Sequence, residues 1–185
     1  MPGPDRIEGY AIISSDGMIA DVNGIQPDVL RIDADQNFFY AGLARADAVA
    51  NGRNSSEGGQ QAAARRRLIL TRRIASLSRD PQNPNALHWN PAGASLDQAW
   101  CMLGSPGGVL AVIGGTDVFG HFLEFGYSVF YLTRVAGVRL PGGRPLFPGV
   151  PVRTPEDLLS SHGLKESPPR LLDAPSGATL VTWRR

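Results

Sequence analysis

The chain has 185 residues, enough for one domain with a real core, and its 42% hydrophobic content is ordinary for a globular protein. A formal net charge of +1 gives no overall field to draw in a nucleic acid or a membrane, and no apolar run approaches the roughly 18 residues of a membrane helix. The single cysteine, Cys101, excludes an internal disulfide and a cysteine-rich metal site.

The opening segment Met1-Pro2-Gly3-Pro4-Asp5-Arg6 lacks the basic-then-apolar pattern of a signal peptide, so a cytoplasmic protein is expected. Alternating and β-branched runs predict strands at Ile7–Ser14, Ala46–Ala50, Arg67–Thr71, Ala86–Trp89, Val109–Ile113, Val129–Ala136 and Thr179–Trp183. Helices fall between several of them. Asp33-x-x-Gln36 resembles a capping box, and Phe38, Phe39 and Leu43 follow as an apolar helical face. Ser95-x-x-Gln98 opens a second helix, carried by Leu96, Ala99, Trp100 and Leu103 and closed by Gly104. A third runs from Asp117 to Phe125. The stretches Glu57–Arg66, Ser76–Pro84 and Pro141–Pro175 read as loops, the last with one helical turn near Pro155–Ser161. Strand–helix–strand alternation predicts an α/β chain, residues 1–185 in a single domain, with a largely parallel central sheet. The run Val109-Leu110-Ala111-Val112-Ile113 suits a strand covered on both faces.

Three strand ends carry polar chemistry. Val112-Ile113-Gly114-Gly115-Thr116-Asp117-Val118 takes a buried strand through two glycines into a helix. Glycines allow close backbone approach to a ligand, and a helix start offers N–H groups to phosphate oxygens. The same residues would equally serve as a plain tight turn. Ala46-Asp47-Ala48-Val49-Ala50-Asn51-Gly52-Arg53-Asn54-Ser55-Ser56 ends a strand in glycine, arginine and two hydroxyls, which suits phosphate or a solvated turn. Leu68-Ile69-Leu70-Thr71-Arg72-Arg73 runs into a hydroxyl and two guanidinium groups. Arg65-Arg66-Arg67 reads as a solvated lead into that strand. His88, His121 and His162 have no ligand spacing, so no metal is expected. No G-x-x-x-x-G-K-[ST], G-x-G-x-x-G or G-x-S-x-G motif occurs.

In this order and spacing the segments resemble the dihydrofolate reductase superfamily, over roughly Ile7 to Phe147. The elements are Ser15-Asp16-Gly17-Met18-Ile19-Ala20, Asp35-x-x-Phe38-Phe39, Ala46-Asp47-Ala48-Val49 leading to Gly52-Arg53, Leu68-Ile69-Leu70-Thr71-Arg72, Ser95-Leu96-Asp97-Gln98-Ala99, Val112-Ile113-Gly114-Gly115 and Tyr131-Leu132-Thr133-Arg134. The first two segments, together with Ala46-Asp47-Ala48-Val49, are closest to the reductase of riboflavin biosynthesis, the C-terminal domain of the deaminase-reductase. The resemblance implies a three-layer, mixed but mostly parallel sheet flanked by helices. It implies hydride transfer from NADPH to a pyrimidine or pterin-like heterocycle, and pairing into a homodimer through a sheet edge.

The roles it implies are specific. Gly52, Arg53 and Ser55 match positions that hold the cofactor pyrophosphate. Thr71 and Arg72 match positions near the adenosine 2′-phosphate. Ile113, Gly114 and Gly115 match the turn beside the nicotinamide, and Thr116, Asp117 and Val118 open the helix over the phosphates. Ile19 and Ala20 match the loop that closes over the nicotinamide. Asp35 and Thr133 match the catalytic acid and the threonine that supports it, with Ile12, Gln36 and Phe39 lining the substrate side. Counting back from Gly52 places Gln36 at the acid's position, whereas Asp35 is the nearest carboxylate, and both assignments stand at this point.

The chain departs from dihydrofolate reductases in its first loop, which has Gln26-Pro27-Asp28 and no Pro-Trp pair. It departs from the bifunctional riboflavin enzyme in lacking the H-x-E and P-C-x-x-C signature of a zinc deaminase. Dihydrofolate reductase proper, and a family member that binds a nucleotide without turnover, are the alternative functions.

Overall fold

The structure is a computed structural model that describes residues 3–55, 57–104 and 107–185. Strands are β1 (Arg6–Ser14), β2 (Met18–Ala20), β3 (Ala48–Gly52), β4 (Arg67–Leu70), β5 (Leu77–Arg79), β6 (Ala86–Trp89), β7 (Val109–Gly114), β8 (Val129–Val135), β9 (Arg144–Pro145), β10 (Lys165–Glu166), β11 (Arg170–Asp173) and β12 (Ala178–Arg184). Helices are α1 (Asp33–Arg45), α2 (Leu96–Met102), α3 (Thr116–Phe125) and α4 (Pro155–Ser161). The main sheet has the order β10-β12-β8-β1-β7-β3-β4-β6-β5, with β11 on β12. Its centre, β8-β1-β7-β3-β4-β6, is parallel, and the strands outside it are antiparallel.

Alternation along the central strands sorts the layers. Ile7, Ile13, Leu110, Val112, Ala48 and Ala50 face one side, where α2, α3 and α4 bring Trp100, Phe119, Phe122 and Leu159 into the larger core. Tyr10, Ala111 and Val49 face the other side, against Phe38, Phe39 and Leu43 of α1. Both faces of β7 are therefore covered, which is why its sequence is apolar at consecutive positions rather than at alternate ones. The α/β three-layer arrangement agrees with the sequence-based expectation.

Local chemistry explains most boundaries. The Ser95 hydroxyl accepts from the Gln98 N–H, while Gln98 Oε1 accepts from the Ser95 N–H, closing a capping box. Gly104 follows α2 with φ +76°, in the left-handed region where a glycine costs least. The box expected at Asp33 and Gln36 does not form. Ile32 is the N-cap, in extended conformation, and the helix begins one residue after it with Asp33 already in its first turn. Two predicted loops contain short strands: Leu77–Arg79 on the outer edge of β6, and Lys165–Glu166 and Arg170–Asp173 on β12. The pairing there is supplied by a neighbouring strand and leaves no hydrophobic period in the sequence. Arg67 is also a correction. It is buried, 5% exposed, and does not lie on a solvated lead into the strand.

Candidate active site

A cleft of ≈ 1480 Å³ runs across the carboxyl ends of β1, β8, β7, β3 and β4. That is where open α/β sheets place ligands, because loops rather than strands follow. Every residue singled out in the sequence as a site candidate lines it, apart from Ser56, which lies outside the described residues.

One end holds Asp35 and Gln36 of α1, Ile12 of β1 and Thr133 of β8. Ile12 and Thr133 are direct partners in the β1–β8 ladder, so parallel pairing places their side chains together on the α1 face. Thr133 is buried, and its hydroxyl faces Asp35 and favours the charged carboxylate. Burial pushes the Asp35 carboxyl up to about 6, against the smaller opposing effect of the Thr133 hydroxyl. Gln36 also lines the cleft, but among the described residues its side chain has no hydrogen-bond partner. Phe39 packs edge-on to Tyr10 at 6.1 Å, and Tyr10 stacks on Tyr131 at 4.8 Å. Tyr10, Phe38 and Tyr131 thus form the aromatic floor of this end. Nothing local to Tyr131 in the sequence signals a cleft.

The middle of the cleft is the turn between β7 and α3. The Gly114–Gly115 peptide is cis. Gly114 has φ +117°, and a Cβ there would lie 3.0 Å from the Phe119 ring. Gly115 has an unstrained φ of −76°, and a Cβ there would meet only Ser55 Oγ, at 3.4 Å. Facing them, a Cβ on Gly52 would lie 3.4 Å from Val118 and 3.8 Å from the Gly115 nitrogen. The ends of β3 and β7 therefore approach as bare backbone, with Ser55 and Val118 beside them. Thr116 does not present a free hydroxyl, since it donates to the Pro145 carbonyl on β9. Ile19 and Ala20 lie on β2, which pairs with β9, and the Leu146 N–H donates to Gly17 O at 3.0 Å. The segment expected as a closing loop is thus laddered to a second segment that Thr116 in turn holds.

The far end carries Thr71, Arg72, Asn90, Pro91, Ala92 and His121. Arg72 reaches Asp117 at 3.3 Å, but the two side chains are 88% and 80% exposed, so water screens the pair. Arg53 projects exposed at the rim. His121 sits edge-on to Trp89 at 5.5 Å. Its Nε2 is buried without a partner among the described residues, and burial lowers its pKa. A lone histidine in an apolar helix gives no sequence signal for this position.

The fold is the dihydrofolate-reductase-like α/β fold, as its likeness to solved structures bears out. A protein named for riboflavin biosynthesis from Shewanella sp. PV-4 superposes with TM-score 0.66 at 21% identity, covering 97% of this chain and 98% of that one. The diaminohydroxyphosphoribosylaminopyrimidine deaminase/5-amino-6-(5-phosphoribosylamino)uracil reductase of Thermotoga maritima gives 0.65 at 17%, covering 98% of this chain and 56% of that one. Dihydrofolate reductase from Enterococcus faecalis, complexed with NADP(H) and RAB-propyl, gives 0.62 at 16%, covering 97% and 96%. No family model matches the sequence, and no curated protein matches it. Among the described residues no helix is long and apolar enough to cross a membrane, and no cluster of three or more metal-ligating side chains occurs.

Proposed function

We propose that this chain is an NADPH-dependent reductase of a pyrimidine or pterin-like heterocycle, similar to the uracil reductase of riboflavin biosynthesis. The observation that carries this reading is the half-buried Asp35 beside the buried Thr133, in the same cleft as the Gly114–Gly115 turn. A carboxyl with a pKa of about 6 can accept from or donate to a ring edge near neutral pH. A desolvated carboxyl in a cleft is the kind of group that functional sites use.

The residues fit the cofactor. Bare backbone at Gly52 and Gly115 leaves room for a pyrophosphate against the sheet ends, with Ser55 as donor and Arg53 at the rim. Thr71 and Arg72 suit the 2′-phosphate, and His121 offers its unpaired Nε2 at the same end. NADPH supplies the hydride. Asp35, held by Thr133, orients the heterocycle, with Gln36 beside it, while Ile12 and Phe39 pack the ring and exclude water. Ile19 and Ala20 wall the nicotinamide side. The direct test is loss of NADPH absorbance with a ribosylamino-pyrimidinone and, separately, with dihydrofolate. Turnover of the first alone supports this reading, turnover of dihydrofolate alone moves the assignment to dihydrofolate reductase, and NADPH binding without either points to a member that binds without turnover.

The cofactor preference is testable on its own. The unmutated protein should bind NADPH more tightly than NADH. Arg72→Ala should weaken NADPH by about tenfold, the low end for a charge-assisted contact because the site is exposed, and leave NADH nearly unchanged. Asp117 competes for the same guanidinium in the free protein. An exposed pair is worth about 0.2–1 kcal/mol, so Asp117→Asn should tighten NADPH by about 1.4- to fivefold. Equal affinity of the unmutated protein for the two cofactors would sink the 2′-phosphate assignment.

A further inference from the structure

Behind the loop that carries Arg53 and Ser55 lies a polar network that neither the fold nor the proposed chemistry explains. Asn51, Arg67 and the Glu57 side chain are buried at 3%, 5% and 0% exposure. Arg67 Nη2 donates to both Glu57 carboxylate oxygens at 2.6 Å, and Arg67 Nη1 donates to Asn51 Oδ1 at 2.6 Å. Arg65 adds a second cation to Glu57 at 3.1 Å. Arginine has only donors, so it must meet the oxygen of the Asn51 amide, which turns Nδ2 toward the loop. There Nδ2 donates to Gly52 O at 2.8 Å and to Ser55 O. The Ser55 N–H closes the same turn onto Gly52 O at 2.9 Å. On the opposite side, the Tyr40 hydroxyl of α1 donates to the Glu57 carbonyl at 2.8 Å.

Burying an ion pair is a weak route to stability, since well-packed apolar side chains do as well or better. Here the buried charges are aimed through one amide at two carbonyls of one loop. We propose that Asn51, oriented by Arg67 and Glu57, is a positioning residue for the cofactor: it holds the 52–55 turn so that Ser55 stands opposite Gly115, and Tyr40 ties Glu57, at the other end of the network, to α1, which carries Asp35. The proposal rests on the cofactor reading above. Asn51 itself does not line the cleft, so it acts through the turn.

The test is NADPH titration by fluorescence, with thermal unfolding and turnover, on the full chain and on Asn51→Ala and Tyr40→Phe. Asn51→Ala should raise the NADPH Kd about tenfold, as expected when one charge-assisted contact is misaligned. Its kcat at saturating NADPH should stay within about threefold of wild type, because the reacting groups remain in place. Tyr40→Phe removes one hydroxyl from a partly exposed ring, and should raise the NADPH Kd about two- to threefold without altering the fold. A purely structural network would lower the unfolding temperature of Asn51→Ala and leave the NADPH Kd unchanged, which overturns the proposal. If Asn51→Ala does not fold, Tyr40→Phe decides, and an unchanged Kd there overturns it equally. A wild-type chain that binds no NADPH would instead bring down the cofactor reading, and this proposal with it.

Discussion

Gly115→Ala should give a folded protein that has lost most of its affinity for NADPH. The backbone at Gly115 is in an ordinary region, and an added methyl would meet only Ser55 Oγ at van der Waals distance. The protein thus tolerates the methyl, which projects into the gap between the two strand ends where the pyrophosphate is proposed to lie. Forcing a methyl group into a filled contact costs about 1–3 kcal/mol, a loss of roughly five- to hundredfold in affinity. Gly114→Ala should behave differently. Its φ of +117° disfavours any side chain, and the methyl would press on Phe119 at 3.0 Å. That variant should lose about 1–3 kcal/mol of stability before any question of cofactor arises. Thermal unfolding and NADPH titration on both variants separate the two effects. If folded Gly115→Ala binds NADPH as the wild type does, the plain-turn reading of the glycine pair is the better one.

Asp35→Asn should slow the proposed turnover and make the protein more stable. The carboxyl titrates near 6 when folded and near the ordinary 3.8 when unfolded, because burial disfavours its charge. With a folded pKa above the unfolded one, the native state binds the proton more tightly. The group's contribution is therefore fully favourable below about 4 and is lost as pH rises through 6. At neutral pH the buried charge is a liability of about 1–3 kcal/mol, at 1.36 kcal/mol per pKa unit. Asparagine removes it. Unfolding of Asp35→Asn at pH 7–8 should be shifted up relative to wild type, and the difference should vanish near pH 4. Turnover should fall by about a hundredfold, the scale of a lost acid–base group, with little change in NADPH affinity. The wild-type pH dependence near 6 should be absent from the variant. A variant with unchanged turnover would remove Asp35 from the mechanism and leave Gln36 to be tested by the same assay.

The contest between Asp35 and Gln36 was open in the sequence for a physical reason. Both lie in the first turn of a helix whose rotation is set by packing, and α1 is only weakly amphipathic, with exposed and half-buried residues alternating along it. What distinguishes them is Thr133, which reaches Asp35 through the parallel pairing of β8 with β1, a contact between segments far apart in the chain. Whether that contact serves catalysis is what Asp35→Asn decides.

By itself the sequence determined the order of seven of the strands and of the helices between them, the two-face burial of β7, and the polar strand ends at Gly52, Thr71 and Gly114. Each of these is written locally, as an apolar period, a capping pair or a glycine at a strand end, so a window of a few residues suffices to read it. Tertiary structure alone decided that these ends converge on one cleft, that Arg67 is buried against Glu57 rather than solvated, and that Thr116 holds the Ile19–Ala20 segment through β9. It alone supplied the short strands β2, β5, β9, β10 and β11, too brief to show a hydrophobic period. The reason is common to all of them: their environment comes from residues distant in the chain, and burial, pairing and pKa depend on that environment rather than on the residue's own neighbours.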